Sequence, residues 1–194
     1  MSSKVLYEKR KDGVAFVTLN RPDSLNALDV EAKLRLGEIW DEAAADPEVR
    51  VILLSGAGSR AFCAGSDIKE MSKTGKTIST EDLQRALPGF VTPLKKPVIA
   101  ALQGFCIGMG LTLACHCDIR IAADHAVLGF PEVKHGMLSG ISAVRLPFII
   151  LRVWRWNCCL QAKRYPPPKL CATGWSTGSQ PVTYCRKRKK SRSR

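Results

Sequence analysis

The last 44 residues of the chain, 151–194, contain no aspartate and no glutamate. All 17 acidic residues lie in residues 1–150, which also hold 18 lysines and arginines and are therefore almost neutral. The formal net charge of +13 thus belongs to the C-terminal segment, which has 12 lysines and arginines. A nucleic-acid-binding function would have to depend on that segment, because the body has no excess of positive charge.

Long hydrophobic runs are absent as well. No apolar stretch reaches the roughly 18 residues that a membrane helix needs, and the N-terminal residues lack the apolar stretch of a signal peptide. The sequence therefore predicts a cytoplasmic protein with no membrane contact. Phosphate-binding signatures are missing too, since neither residues 56–58 nor residues 108–110 continue into a phosphate loop or a full dinucleotide fingerprint. A nucleotide cofactor is not predicted.

Residues 1–150 do contain an alternation of strand and helix patterns. Residues 14–19 are rich in β-forming side chains and end in a turn signal, and Asp29 is a candidate N-cap for a helix through Ala45. Ser79 and Asp82 resemble a capping box for a helix through Leu87. Further strands are predicted at 51–54, 97–102, 119–123 and 126–128. This alternation predicts an α/β layered domain.

Three segments carry a resemblance to a known family: LNRPDSLNAL at 19–28, AFCAGSDIKEM at 61–71, and GFCIGMGLTLACHCDIRIAADHAVLGFPEVKHG at 104–136. In order, spacing and wording they resemble the crotonase family of enoyl-CoA hydratases and isomerases. The resemblance implies an α/β fold, the crotonase spiral of repeated ββα turns, in a catalytic core at residues 1–150. It also implies a C-terminal helical region that builds a homotrimer or hexamer, and residues 151–194 show no such region.

The resemblance implies an acyl-CoA substrate whose thioester oxygen is held by two backbone N–H groups, those of Ala64 and Met109. Glycines beside both residues suit the close approach of a backbone to a ligand, although isolated glycines more often serve tight packing. If residues 111–117 are helical, the Met109 N–H lies at the positive end of a helix dipole. The predicted substrate-binding residues are Ala64, Gly65, Ser66, Asp67, Ile68, Gly108 and Met109. Coenzyme A enters as part of the substrate, and no separate cofactor is predicted.

Glu132 matches one of the two catalytic glutamates of the hydratases, and we predict that it is the acid/base of the reaction. The position of the second glutamate, two residues past Gly110, holds Thr112. Hydratases use both carboxylates to activate water, so a threonine here favours proton relocation, as in an isomerase, over hydration. A solvated surface glutamate is the alternative for Glu132.

Cysteine and histidine residues cluster at Cys115, His116 and Cys117, but consecutive residues on a helix point in different directions. These three residues therefore predict no metal site. Cys63 and Cys106 are expected to be small core residues of a reducing compartment. His135 is predicted to lie near Glu132 or in solvent.

The C-terminal segment matches the family in another reading frame. Shifting the frame by one base across residues 153–163 permits VAMELLLTGK, and the same shift across 163–178 permits AISAAEALRHGLVNR; both strings are typical of crotonase-family sequences. We therefore hypothesise a one-base frameshift near Leu151, genuine or from sequencing, with residues 151–194 a basic tail. The alternatives are an inactive acyl-CoA-binding remnant, or a nucleic-acid-binding tail through residues 186–190, which we favour less.

Overall fold

The computed structural model describes residues 3–138, 140–141, 176–177, 180–181 and 183–185. Among the described residues, the helices with defined bounds are α1 (Val30–Ala45), α2 (Ile68–Thr74), α3 (Thr80–Arg85) and α4 (Met109–His116). The strands are β1 (Val5–Lys9), β2 (Val14–Leu19), β3 (Val51–Gly56), β4 (Ala61–Cys63), β5 (Val98–Leu102), β6 (Phe105–Ile107), β7 (Ile119–Ala123), β8 (Val127–Gly129), β9 (Ser176–Thr177), β10 (Gln180–Pro181) and β11 (Thr183–Cys185). Two short 3-10 helices lie at Pro22–Ser24 and Glu132–His135.

Nine of the eleven strands form one large sheet and one small sheet. The large sheet has the order β1-β2-β3-β5-β7-β11, and the small sheet has the order β4-β6-β8. Pairing is parallel throughout both sheets except between β1 and β2. A third, two-stranded sheet joins β9 and β10.

The chain alternates between the two main sheets. β3, β5 and β7 each enter the large sheet and are followed by β4, β6 and β8 in the small one, with α2, α4 or the second 3-10 helix next along the chain. This is the repeated ββα unit that the resemblance implies, so the predicted fold class is confirmed.

Alternating burial explains the elements that the sequence predicts well. β2 and β3 each bury every second residue, and α1 buries a stripe against the sheet that includes Leu36, Ile39 and Trp40. Asp29 caps α1 as predicted, since its side chain accepts a hydrogen bond from the Ala32 N–H. Trp40 donates its indole N–H to the Ala86 carbonyl at 2.9 Å, which ties α1 to the end of α3.

Several boundaries and elements differ from the predictions. α3 ends at Arg85 rather than Leu87, and β8 is shifted by one residue. In the tail, where no regular structure is predicted, β11 pairs parallel with β7. The frameshift hypothesis rests on residues 151–178 and the polybasic run on residues 186–190; apart from β9, both stretches lie outside the described residues, so the proposed domain boundary stays a prediction.

Candidate active site

The three strands of the small sheet end at the same edge. Because β4, β6 and β8 are parallel neighbours, the residues that follow them meet there: Ser66 after β4, Met109 after β6 and Glu132 after β8. The sheet therefore brings together segments that are far apart in the sequence. The second and third motifs converge on one site for this reason.

Met109 is the first residue of α4, so its N–H has no acceptor within the helix. The preceding Gly108 has φ +56° and ψ −123°, a conformation that side chains rarely adopt, and its own N–H donates to the Gly129 carbonyl at 3.0 Å. This hydrogen bond fixes the start of α4 against β8. The Met109 N–H is thus presented at the positive end of a helix dipole, as predicted.

The Ser66 N–H is a second backbone donor at this edge for which the described residues supply no acceptor. A parallel bridge joins Ser66 to Leu28, in which the Leu28 N–H donates to the Gly65 carbonyl at 2.8 Å and the Asp67 N–H donates to the Leu28 carbonyl at 3.0 Å. In such a bridge the N–H of the central residue points away from the partner strand. The Ser66 N–H is therefore free for a ligand.

The prediction that Ala64 supplies this donor does not fit the structure. The Ala64 N–H donates to the Leu25 carbonyl at 3.0 Å and is already satisfied. Ala64 remains part of the site only as a residue that lines the cavity. The N–H without an acceptor in this segment is therefore that of Ser66, two residues after the predicted Ala64.

The segment of Ser66 and the start of α4 lie in close contact. A Cβ added to Gly65 would stand 3.6 Å from the Met109 nitrogen, and one added to Gly108 would stand 3.9 Å from the Gly65 Cα. Glycine is required at both positions, since each also has a positive φ. The two free N–H groups are thereby carried by neighbouring backbone segments.

Glu132 lies beside these groups. A Cβ added to Gly108 would be 3.3 Å from its Oε1, and its Oε2 is buried with no hydrogen-bond partner among the described residues. A buried carboxylate oxygen without a donor is costly, and such groups are typical of functional sites. The glutamate is thus half-buried in the cavity wall rather than fully exposed to solvent.

A cavity of about 720 Å³ joins these residues. Six of the seven predicted substrate-binding residues line it, and so does Glu132. Asp67 does not, because its carboxylate is turned toward Arg21 and the N-terminus of α2. His135 also lines the cavity, one turn beyond Glu132.

The sequence did not predict the apolar side chains that line the cavity. Side chains from α2, α3, β6 and the segment after Glu132 complete the wall: Met71, Leu83, Phe105, Ile107, Met137, Leu138 and Ile141. Three of these side chains, Phe105, Met137 and Leu138, are apolar yet exposed to solvent, a property that the sequence pattern does not show. Thr112 lines the same cavity, is buried, and donates from its Oγ1 to the Gly108 carbonyl at 3.2 Å.

The four cysteines of the body are buried: Cys63, Cys106, Cys115 and Cys117. Burial raises the pKa of Cys63 to about 12 and that of Cys106 well above its ordinary value. Within the described residues no group of three or more histidine, cysteine, aspartate or glutamate side chains could hold a metal ion. In the same part of the chain, no helix is long and apolar enough to cross a membrane.

A family model described as enoyl-CoA hydratase/isomerase matches residues 9–168, most of the chain. The chain belongs to this family of enzymes. The crotonase-type resemblance of the three motifs is thereby confirmed.

Named relatives agree with the family assignment. The chain is 40% identical to the (E)-benzylidenesuccinyl-CoA hydratase of Thauera aromatica over 135 residues, 68% of this chain and 52% of that protein. It is 40% identical to the short-chain-enoyl-CoA hydratase of Clostridium acetobutylicum over 146 residues, 74% of this chain and 55% of that protein. The chain thus spans little more than half the length of these two curated relatives.

Solved structures of the family share the fold. A carnitinyl-CoA dehydratase from Mycobacterium avium superposes with a TM-score of 0.83 at 29% identity, over 96% of this chain and 71% of that one. The described part of the chain therefore has the enoyl-CoA hydratase/isomerase fold.

Proposed function

We propose that this chain binds an acyl-CoA thioester in the cavity and relocates a double bond of its acyl group, with Glu132 as the acid/base. One observation carries the proposal. Among the described residues that line the cavity, Glu132 is the one carboxylate, and its buried Oε2 has no partner. It shares the cavity with the backbone N–H groups of Ser66 and Met109, and Thr112 lies in the wall where a second carboxylate would be needed.

The free N–H groups of Ser66 and Met109 are suited to the thioester oxygen. Removing a proton from the carbon next to the thioester carbonyl places negative charge on that oxygen, and fixed donors stabilise it. One such donor typically contributes roughly 2.7 to 4 kcal/mol to transition-state stabilisation. Because both donors belong to the main chain, they are held by the fold and need no reorganisation.

Glu132 then performs the proton transfer. It takes a proton from C2 of a 3-enoyl thioester, the electron pair shifts toward the carbonyl, and the resulting dienolate is held by the two N–H groups. The same carboxyl group returns the proton at C4, which yields the 2-enoyl thioester. No water is consumed, so one carboxylate is sufficient.

The cavity wall supports an apolar acyl group. Met71, Leu83 and Phe105 line it and offer no charged group to the ligand. Both named hydratase relatives act on CoA thioesters, which supports a thioester as the ligand.

Spectroscopy of the conjugated thioester tests this function. Purified full-length protein is incubated with 3-enoyl-CoA and separately with 2-enoyl-CoA while the absorbance of the conjugated double bond is followed. We expect absorbance to appear with the first substrate and to persist with the second. Loss of absorbance with 2-enoyl-CoA would identify a hydratase instead.

Variants assign the reaction to the site. Glu132→Gln removes the acid/base with little change in size, and we expect the rate to fall by roughly 100- to 10,000-fold. Glu8→Gln is the matched control, because Glu8 is an exposed carboxylate of β1 that does not line the cavity. Equal rates in the two variants would contradict the role of Glu132.

A binding protein without turnover is the second candidate. It is favoured by Thr112 together with the short span of the chain relative to its relatives. Calorimetric binding of an acyl-CoA with no change in either enoyl substrate would support it.

A further inference from the structure

Arg21 lies where the first motif meets the second. Its Nη2 is 2.9 Å from Asp67 Oδ2, while its Nη1 is 3.3 Å from Asp29 Oδ2 and donates to the Ala27 carbonyl at 2.6 Å. The side chains of Arg21 and Asp67 are 21% and 13% exposed, and that of Asp29 is fully buried. One guanidinium thus holds acceptors from both motifs in a weakly solvated environment.

Asp67 is fixed on three sides. Beyond its ion pair with Arg21, its Oδ1 accepts a hydrogen bond from the Glu70 N–H at 3.1 Å and its own N–H donates to the Leu28 carbonyl. The residue directly before it is Ser66. Any rotation of the Asp67 backbone would therefore turn the peptide group that joins Ser66 to Asp67.

The ion pair acts on the direction of the Ser66 N–H. An isolated bridge to Leu28 sets that direction, and two backbone hydrogen bonds three residues beyond the end of β4 are a weak constraint. Arg21 reinforces it from the Leu28 side, because it binds the carbonyl of Ala27 next to Leu28 and the carboxylate of Asp67 next to Ser66.

We infer that Arg21 and Asp67 are positioning residues, whose ion pair aims the Ser66 N–H at the thioester oxygen. Neither residue lines the cavity, so neither touches the substrate. The inference rests on the proposed function. A planar guanidinium is required because it reaches its three acceptors in fixed directions, which a lysine ammonium does not.

Kinetics give the first test. Arg21→Met and Asp67→Asn are each expected to lower kcat roughly 10- to 100-fold with little change in KM, since a small misplacement of a donor affects the transition state most. Asp67→Asn keeps an acceptor for the Glu70 N–H, so α2 stays capped. Because both changes break the same Arg21–Asp67 ion pair, the double variant should be no slower than the slower single variant.

Arg35→Met is the matched control. Its ion pair with Glu38 has the same 2.9 Å separation but lies on the exposed side of α1, away from both motifs. This variant should retain wild-type kcat. Thermal unfolding of all variants shows whether the folded fraction is the same.

Infrared spectroscopy provides a readout that does not depend on turnover. The carbonyl stretch of an acyl-CoA labelled with ¹³C at the thioester carbon should move to lower frequency on binding to the wild-type protein. Folded Arg21→Met or Asp67→Asn should show a smaller shift. A full shift and wild-type kcat in both variants would overturn the positioning role alone, whereas a wild-type protein that binds no thioester would overturn the proposed function and with it this inference.

Discussion

Thr112 determines how many carboxylates the site has. It lies in the first turn of α4, within the cavity wall, and its hydroxyl is used by the Gly108 carbonyl. A carboxylate at this position would share the cavity with Glu132 and have a water molecule between the two as its natural partner. Under the proposed mechanism, the choice between isomerisation and hydration therefore depends on the side chain at position 112.

Thr112→Glu is expected to give the protein measurable hydration of 2-enoyl-CoA. The second carboxylate would position and activate water, at the cost of a lower melting temperature because a charge is buried. Loss of the conjugated absorbance measures the activity. Thr112→Gln has the same size without the charge, and equal hydration by both variants would contradict the explanation.

Cys63 lies between the two donor segments. The Gly65 N–H donates to its Sγ at 3.4 Å, and a Cβ added to Gly110 would stand 2.6 Å from the Cys63 Cβ. Burial raises the pKa of this thiol to about 12, and only the thiolate reacts with alkylating reagents.

We therefore expect Cys63 to resist iodoacetamide at pH 8 in the folded protein and to react in urea. Since the folded-state pKa is raised, the thiolate appears only as the pH approaches 12, whereas the unfolded thiol ionises near its ordinary value. Mass mapping of alkylated peptides checks this. Native labelling as fast as labelling in urea would contradict the tight packing around the donor segments.

The turn between β2 and α1 contains two residues in the left-handed region, Leu25 at φ 52° and Asn26 at φ 56°. Asparagine tolerates this conformation better than most side chains. The buried Asn26 amide donates to the carbonyls of Ala57 and Ala61, each at 2.9 Å, and its oxygen accepts from the Arg21 N–H. The turn is thereby attached to the beginning of β4.

Asn26→Ala should lower the free energy of unfolding by about 2 to 4 kcal/mol, because two buried carbonyls lose their donor and the backbone becomes strained. Urea denaturation measures the change. Asn20→Ala is the control, since the Asn20 amide makes an exposed bond to the Ser3 carbonyl, and its loss should cost less than about 0.5 kcal/mol. Similar losses in both variants would refute the structural role of Asn26.

Long elements were predictable and short ones were not. β2 and α1 carry enough residues to show a period, whereas β4 is three residues long and buried throughout, so its pattern has no alternation. α2 is charged and has no buried residue. Neither β4 nor α2 could be predicted from its own sequence, because contacts with neighbouring elements stabilise both.

The positions of the backbone donors could not be predicted from local sequence either. Ala64 and Ser66 are equally small and flank the same glycine, and only the bridge to Leu28 decides which N–H is free. Asp67 was assigned to the substrate for a similar reason, since its partner Arg21 lies in another motif. Contacts between distant segments carry this information, and a linear pattern does not.

At the scale of the whole molecule, the chain shares residues 9–168 with its family and spans 52% of the length of one relative. The cytoplasmic location and the homotrimer or hexamer implied by the resemblance stay predictions. So does the frameshift near Leu151.

Resequencing the gene across codon 151 should reveal one base gained or lost. A version with the frame restored should assemble into trimers in light scattering, and its turnover of 3-enoyl-CoA should exceed that of the chain as it stands. An intact frame with no family-like alternative would refute the hypothesis and leave the basic tail as a feature of its own.

The bridge between Leu28 and Ser66 also has a consequence for how the site tolerates variation. Because both proposed donors are main-chain N–H groups, a saturation scan should find positions 66 and 109 permissive to most side chains. Proline is the exception, since it has no N–H to offer. The two positions most important for charge stabilisation would then rank among the least sensitive to mutation. The most sensitive positions would include Leu28, Arg21 and Gly108, none of which touches the reacting oxygen.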